Sequence, residues 1–258
     1  MSTISLEVNE HVATLTIQSP PANALSTTLL TDLESKLNEV EQNAAIKAVI
    51  LKGEGRFFSA GADIKEFTDL QDASDYESLA RNGQKLFERI EKYPVPVIAA
   101  IHGAALGGGL ELAMSCHIRI TTESAKLGLP ELNLGIIPGF AGTQRLPQLV
   151  GNAKAYEMIL TGEPISGKEA ATLGLANAAV ADEDALLEAA NELAQKIAAK
   201  SKPTIEKVME LIPFAKFASF SAGVVAEAQA FGEVFGTEDA KEGVQAFVEK
   251  RQPNFKDK

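Results

Sequence analysis

The sequence predicts an α/β fold, and three observations carry that expectation. Strand-like and helix-like patterns alternate through the first half of the chain, the order of a sheet covered by helices. Two segments, Lys47 to Lys52 and Val97 to Ile101, read as strands buried on both faces. Beyond about residue 200 the pattern is almost wholly helical.

Taken in order, Ile4, Leu6 and Val8 alternate within 4–9, and alternation returns over 11–17. With Asn9-Glu10 between them, the two runs predict a hairpin. Pro20-Pro21 ends the second strand. Ser26 is placed to cap a helix over about 27–43, whose stripe is Leu29, Leu30, Leu33, Leu37 and Val40. The strand at 47–52 is followed by a glycine-rich loop and by a helix near 76–92, stopped by Pro94 and Pro96. After the strand at 97–101, Gly103 to Gly109 lead into a short helix carrying Glu111, and His117 to Thr121 read as a third strand. From about 142 the pattern turns helical. Ser166-Gly167-Lys168-Glu169 fits a capping box. A helix over 184–200 turns Leu186, Leu187, Ala190, Leu193 and Ile197 inward, and Ser201-Lys202-Pro203 breaks it. Helices follow near 204–215, 218–235 and 238–250. The change near 200 divides a core, 1–200, from a helical segment, 201–258.

Composition narrows the function classes. The 258 residues are 45% hydrophobic and 23% charged, ordinary for a packed protein. Twenty-four basic and 35 acidic residues leave a net charge of −11, which argues against a broad nucleic-acid surface. The single cysteine, Cys116, can form no disulfide within the chain and suits a small core position. No leader pattern and no apolar run near the ~20 residues of a membrane helix is visible, so a cytoplasmic protein is expected. His11, His102 and His117 are scattered, and neither a metal spacing nor a nucleotide-binding glycine motif occurs.

Three segments can carry chemistry. Phe57 to Lys65 clusters small residues around Gly61, which suits either a plain turn or close approach of a ligand to the backbone. Gly107-Gly108-Gly109 opens the helix of Glu111. Free amides at a helix start can stabilise an anion, and glycines there can equally serve tight packing. Glu131 stands in an apolar stretch between prolines and glycines, where a carboxyl resists ionisation unless it turns to water.

Together, these segments resemble the crotonase (enoyl-CoA hydratase/isomerase) superfamily, and within it bacterial enoyl-CoA hydratases. The likeness runs from the hairpin and Asn23-Ala24-Leu25 to the Phe247–Arg251 ending. It implies a ββα spiral core, a helical C-terminal segment for oligomerisation, and a trimer or a hexamer of two trimers. It implies a reaction too: addition of water to a trans-2-enoyl-CoA in fatty-acid β-oxidation, with no cofactor, coenzyme A being part of the substrate. By the same resemblance, the amides of Ala60 and Gly108 form the oxyanion hole and Glu111 and Glu131 are the catalytic acids. Gly139 positions the water. Ala62, Asp63 and Ile64, with Phe247 and Lys250 from the C-terminal helix, contact coenzyme A. Phe247 also fits core packing beside Val244 and Val248, and Lys250 a solvated helix end. Pro20-Pro21-Ala22 departs from the family stretch, which often carries a charged residue there. Alternatives on the same fold are a Δ3-Δ2-enoyl-CoA isomerase, which needs one acid, and β-hydroxyacyl-CoA hydrolysis; a non-catalytic RNA-binding member is the alternative of another class.

Overall fold

A computed structural model describes residues 2–67 and 72–258. Its elements run β1 (Ile4–Asn9), β2 (Val12–Ile17), α1 (Thr27–Gln42), β3 (Ala48–Gly53), α2 (Ile64–Phe67), α3 (Ala73–Glu91), β4 (Val97–Ile101), β5 (Ala104–Leu106), α4 (Gly108–Ser115), β6 (Ile118–Thr122) and β7 (Lys126–Gly128). A 3₁₀ turn (Glu131–Leu134) precedes α5 (Gly142–Val150), α6 (Asn152–Thr161), β8 (Ile165–Ser166), α7 (Gly167–Leu173), β9 (Ala178–Val180) and α8 (Glu183–Ala198). The chain ends in α9 (Lys202–Leu211), α10 (Phe214–Phe217), α11 (Phe220–Phe235) and α12 (Glu238–Glu249).

Two sheets form. The larger has the order β1-β2-β3-β4-β6-β9, antiparallel at the β1–β2 hairpin and parallel elsewhere. Its alternate side chains feed two cores. Ala13, Leu15, Val49, Leu51, Val97 and Ala99 pack with the stripes of α1 and α3. Val12, Ile50, Ile98 and Ile120 pack against Leu186, Ala190 and Ala194 of α8. Period-two alternation thus serves both faces, which is why β4 reads as an unbroken apolar run. The smaller sheet, β5-β7-β8, sits on the first core and carries the loops of the site.

The expected caps form: Ser26 Oγ accepts from Leu29 N at 3.2 Å and Ser166 Oγ from Glu169 N at 3.1 Å. The second is half a capping box, because the Glu169 carboxylate pairs with Lys154 at 2.9 Å instead of reaching back. The hairpin turns at Glu10-His11, one residue later than expected, with Glu10 at φ 52°. The second half is not purely helical: β8 and β9 lie there, and β9 closes the edge of the large sheet beside β6. Strands of two or three residues are too short to display alternation, and the same brevity hides β5 and β7 in the sequence. Among the described residues, no helix is long and apolar enough to cross a membrane.

The C-terminal helices are tied to the preceding fold by polar contacts. Lys47 Nζ reaches Asp257 at 2.7 Å and the Lys200 carbonyl at 3.0 Å, and Lys216 Nζ reaches Glu91 at 2.7 Å. Their apolar outer faces, including Phe220, Val225, Phe231 and Phe247, stay exposed in the single chain.

Candidate active site

The site begins with the loop after β3. Asn23, buried and at φ 51°, donates Nδ2 to the carbonyls of Glu54 (3.0 Å) and Phe57 (2.7 Å), clamping the loop's entry. Ser59 bridges the loop to β5: Ser59 N donates to Ala104 O at 3.1 Å, and Leu106 N to Ser59 O at 3.0 Å. On the loop's other side, Leu25 N donates to Gly61 O (2.8 Å) and Asp63 N to Leu25 O (3.2 Å). In such a parallel bridge the amide of the central residue, Ala62, points away from the partner strand. Gly61 makes the close approach possible. It sits at φ 108°, and a Cβ there would lie 2.9 Å from Leu106 O and 3.6 Å from Gly108 N.

This geometry corrects one expectation. The Ala60 amide is already donated to Ala22 O at 3.0 Å, so it is not free to face a ligand. Among the described residues, the amides of Ala62 and Gly108 donate to no protein acceptor, and both residues line one cavity of about 650 Å³. Gly108 begins α4, where the helix dipole adds to the amide's pull on negative charge.

Glu111 and Glu131 line the same cavity. Glu111 projects from the first turn of α4 and is 1% exposed. Its Oε1 accepts two backbone hydrogen bonds, from Phe140 N at 2.8 Å and Gly142 N at 2.6 Å. Burial pushes its pKa up to about 7; the nearby Glu131 pushes the same way, while the two amides and Arg145 oppose. Glu131 opens the 3₁₀ turn between Pro130 and the left-handed Gly135, is 9% exposed, and has its carboxyl raised by burial. Its Oε2 is buried with no hydrogen-bond partner. An unpaired buried oxygen is costly for a carboxylate, and burial disfavours the ionised form of both acids, so the pair resists carrying two charges at once.

Gly139 also lines the cavity, and its carbonyl is fixed by Gln84 Nε2 at 2.9 Å. Phe140 supplies an apolar wall with Ile64, Leu79 and Ile137. The Phe140 ring packs edge-on against Phe87 at 5.3 Å between centroids, in a notch where a Cβ on Gly83 would come within 2.4 Å of it. Gly142 is equally constrained, since a Cβ there would lie 2.8 Å from Glu111 Oε1 and 3.1 Å from Leu129 Cδ1. We expect Gly142→Ala to retain the fold while lowering kcat roughly 10- to 100-fold by shifting that carboxyl. Steady-state kinetics beside a melting curve checks this; an unaltered kcat would show that the carboxyl's placement is not critical.

The other expected contacts divide. Ala62 and Ile64 line the cavity and Asp63 lies between them, its Oδ1 accepting from Lys65 N at 3.1 Å. Phe247 and Lys250 are not brought to it within one chain. Phe247 is 84% exposed on α12, and Lys250 is the left-handed C-cap of that helix. Sequence reasoning missed the amides of Phe140 and Gly142, the clamp of Gln84 and the buried Arg145. An arginine three residues into an amphipathic helix gives no local sign that it points inward. Among the described residues, no group of three or more His, Cys, Asp or Glu side chains could hold a metal ion.

The model of the enoyl-CoA hydratase/isomerase family matches residues 7–258. A probable enoyl-CoA hydratase of Bacillus subtilis (strain 168) is 60% identical over 256 residues, covering 99% of each chain. A crotonyl-CoA hydratase of Syntrophomonas wolfei is 41% identical, covering 98% of this chain and 97% of its own. The crystal structure of an enoyl-CoA hydratase from Bacillus anthracis superposes with a TM-score of 0.93 at 40% identity, covering 99% of this chain and all of that one.

Proposed function

The chain belongs to the enoyl-CoA hydratase/isomerase family, and on that premise we propose that it adds water to the double bond of a 2-enoyl-CoA, giving the 3-hydroxyacyl-CoA. The observation that carries the reading is one cavity lined by two buried carboxyls and two undonated backbone amides.

The thioester oxygen accepts from Ala62 N and Gly108 N. As water attacks the β-carbon, charge moves onto that oxygen, and the preorganised amides stabilise it; one such donor is typically worth ~3–4 kcal/mol. Glu111, held by the Phe140 and Gly142 amides, takes up the water's proton, and the Gly139 amide helps to hold that water. Glu131, whose carboxyl is raised by burial, delivers a proton to the α-carbon. A double-bond shift needs only one acid, so the intact pair supports hydration over isomerisation.

Coenzyme A enters past Ala62, Asp63 and Ile64 as part of the substrate, and no further cofactor is required. Phe247 and Lys250 reach it only from a neighbouring copy. That fits a trimer, or a hexamer of two trimers, which would also cover the exposed apolar faces of α11 and α12. The setting is fatty-acid β-oxidation in the cytoplasm.

The test is loss of crotonyl-CoA absorbance with the product identified by mass. A gain of one water supports hydration. A 3-enoyl-CoA converted without change of mass, and no hydration of any 2-enoyl-CoA, would replace it with isomerisation.

A further inference from the structure

We propose that Arg145 is a positioning residue that braces the Phe140–Gly142 turn from behind and so keeps its two amides aimed at Glu111. The inference rests on the reading of Glu111 as the group that takes up the water's proton. Arg145, on α5, is only 6% exposed. Its NH1 donates to Phe140 O at 2.6 Å, and the amide of that same Phe140 donates to Glu111 Oε1 at 2.8 Å. Its NH2 donates to Glu91 Oε2 at 3.0 Å, at the end of α3. Glu91 Oε1 in turn accepts from Lys216 Nζ of α10 at 2.7 Å. Burial alone would raise the Glu91 carboxyl; Arg145 and Lys216 outweigh it and keep it below its usual value.

A buried guanidinium needs compensation for lost water, and Glu91 supplies it. What Arg145 provides in exchange is a fixed donor on the Phe140 carbonyl. The charged groups that face Glu111 are Glu131 and Arg145, and those that face the Glu91 carboxyl are Arg145 and Lys216; the His117 ring, its pKa pushed down to about 4 by burial, meets the Glu91 backbone carbonyl instead. Arg145 is the cation common to both sets. Its removal would loosen the turn and also take away positive charge that favours the ionised Glu111. A residue that merely packed the core would do neither.

The experiment compares wild type, Arg145→Met, Arg145→Lys and Glu91→Gln. It reads kcat and KM for crotonyl-CoA across pH, and an infrared titration of the protonated-carboxyl band assigned by its loss in Glu111→Gln. Arg145→Met is expected to lower kcat ~10- to 100-fold near neutrality with KM changed less than about 3-fold. Its acidic limb and the band's midpoint should move to higher pH. Arg145→Lys should recover part of the loss, and Glu91→Gln, which leaves the guanidinium without its anchor, should lower kcat by less than Arg145→Met does. A folded Arg145→Met with an unmoved midpoint overturns the proposal. If that variant does not fold, an unaltered kcat in a folded Glu91→Gln does so. Should the wild type hydrate no enoyl-CoA, the functional reading fails, while the infrared midpoints still decide whether Arg145 sets the state of Glu111.

Discussion

Replacing Glu131 with Gln is expected to lower kcat at least ~10³-fold while leaving KM for crotonyl-CoA nearly unchanged, within the range of general acid catalysis. Gln matches the volume of the acid and keeps the 3₁₀ turn, whose shape comes from Pro130 and the left-handed Gly135 and not from the side chain. What disappears is a proton donor at an oxygen that has no partner inside the protein. On the proposed reading the two amides still hold the thioester oxygen, so binding survives. The stalled step is protonation of the α-carbon, and it should leave exchange at that carbon as slow as turnover. Rapid-mixing and steady-state kinetics with crotonyl-CoA check the result. Near-wild-type turnover would place the donor elsewhere.

Glu111→Gln should lower kcat by a similar ~10²- to 10⁴-fold, yet make the protein more heat-stable at alkaline pH. The Glu111 carboxyl has its pKa raised from 4.5 to about 7, chiefly by burial. As pH climbs through that window, the unfolded chain has released the proton while the folded chain still holds it. The native state then binds more protons, so stability falls with rising pH, and the full penalty is present above about 7. Gln carries no such penalty, and its amide oxygen can accept the same bonds from Phe140 and Gly142. The melting temperature of the variant should therefore exceed that of wild type by a few degrees near pH 8, with the gap closing near pH 4.5. Calorimetry at both values reads this directly. A gap that is constant or reversed would show that Glu111 is not held at a cost in stability.

Local patterns carried much of the fold into the sequence. Ser26 and Ser166 announce their helices because a cap is a contact over three residues, and the two-sided burial of β4 shows as an apolar run. Glu111 and Glu131, by contrast, are joined as a pair only through the family resemblance, since no local pattern links them. What lay beyond reach depends on contacts between distant segments. Ala60 and Ala62 flank the same glycine and are the same residue type. Only the bridges to Ala22, Leu25 and Ala105 decide which amide is spent and which is free. Arg145 reads as a solvated helix residue until Glu91, 54 positions away, is seen beside it. For Phe247 and Lys250 even the folded chain is not enough, since they stand apart from the cavity within a single copy.

The seat of the Phe140 ring has an evolutionary consequence. The ring fills space that a side chain at Gly83 would claim, and it touches the spot where one at Gly108 would begin, 3.3 Å away. None of the three positions can change freely while the others stay. A lineage that shrank the residue at 140 would release position 83 to acquire a side chain, and the acyl wall could then be rebuilt from α3. Descendants of this chain with altered substrate range should thus differ at 83 and 140 together, as linked exchanges and not as independent ones.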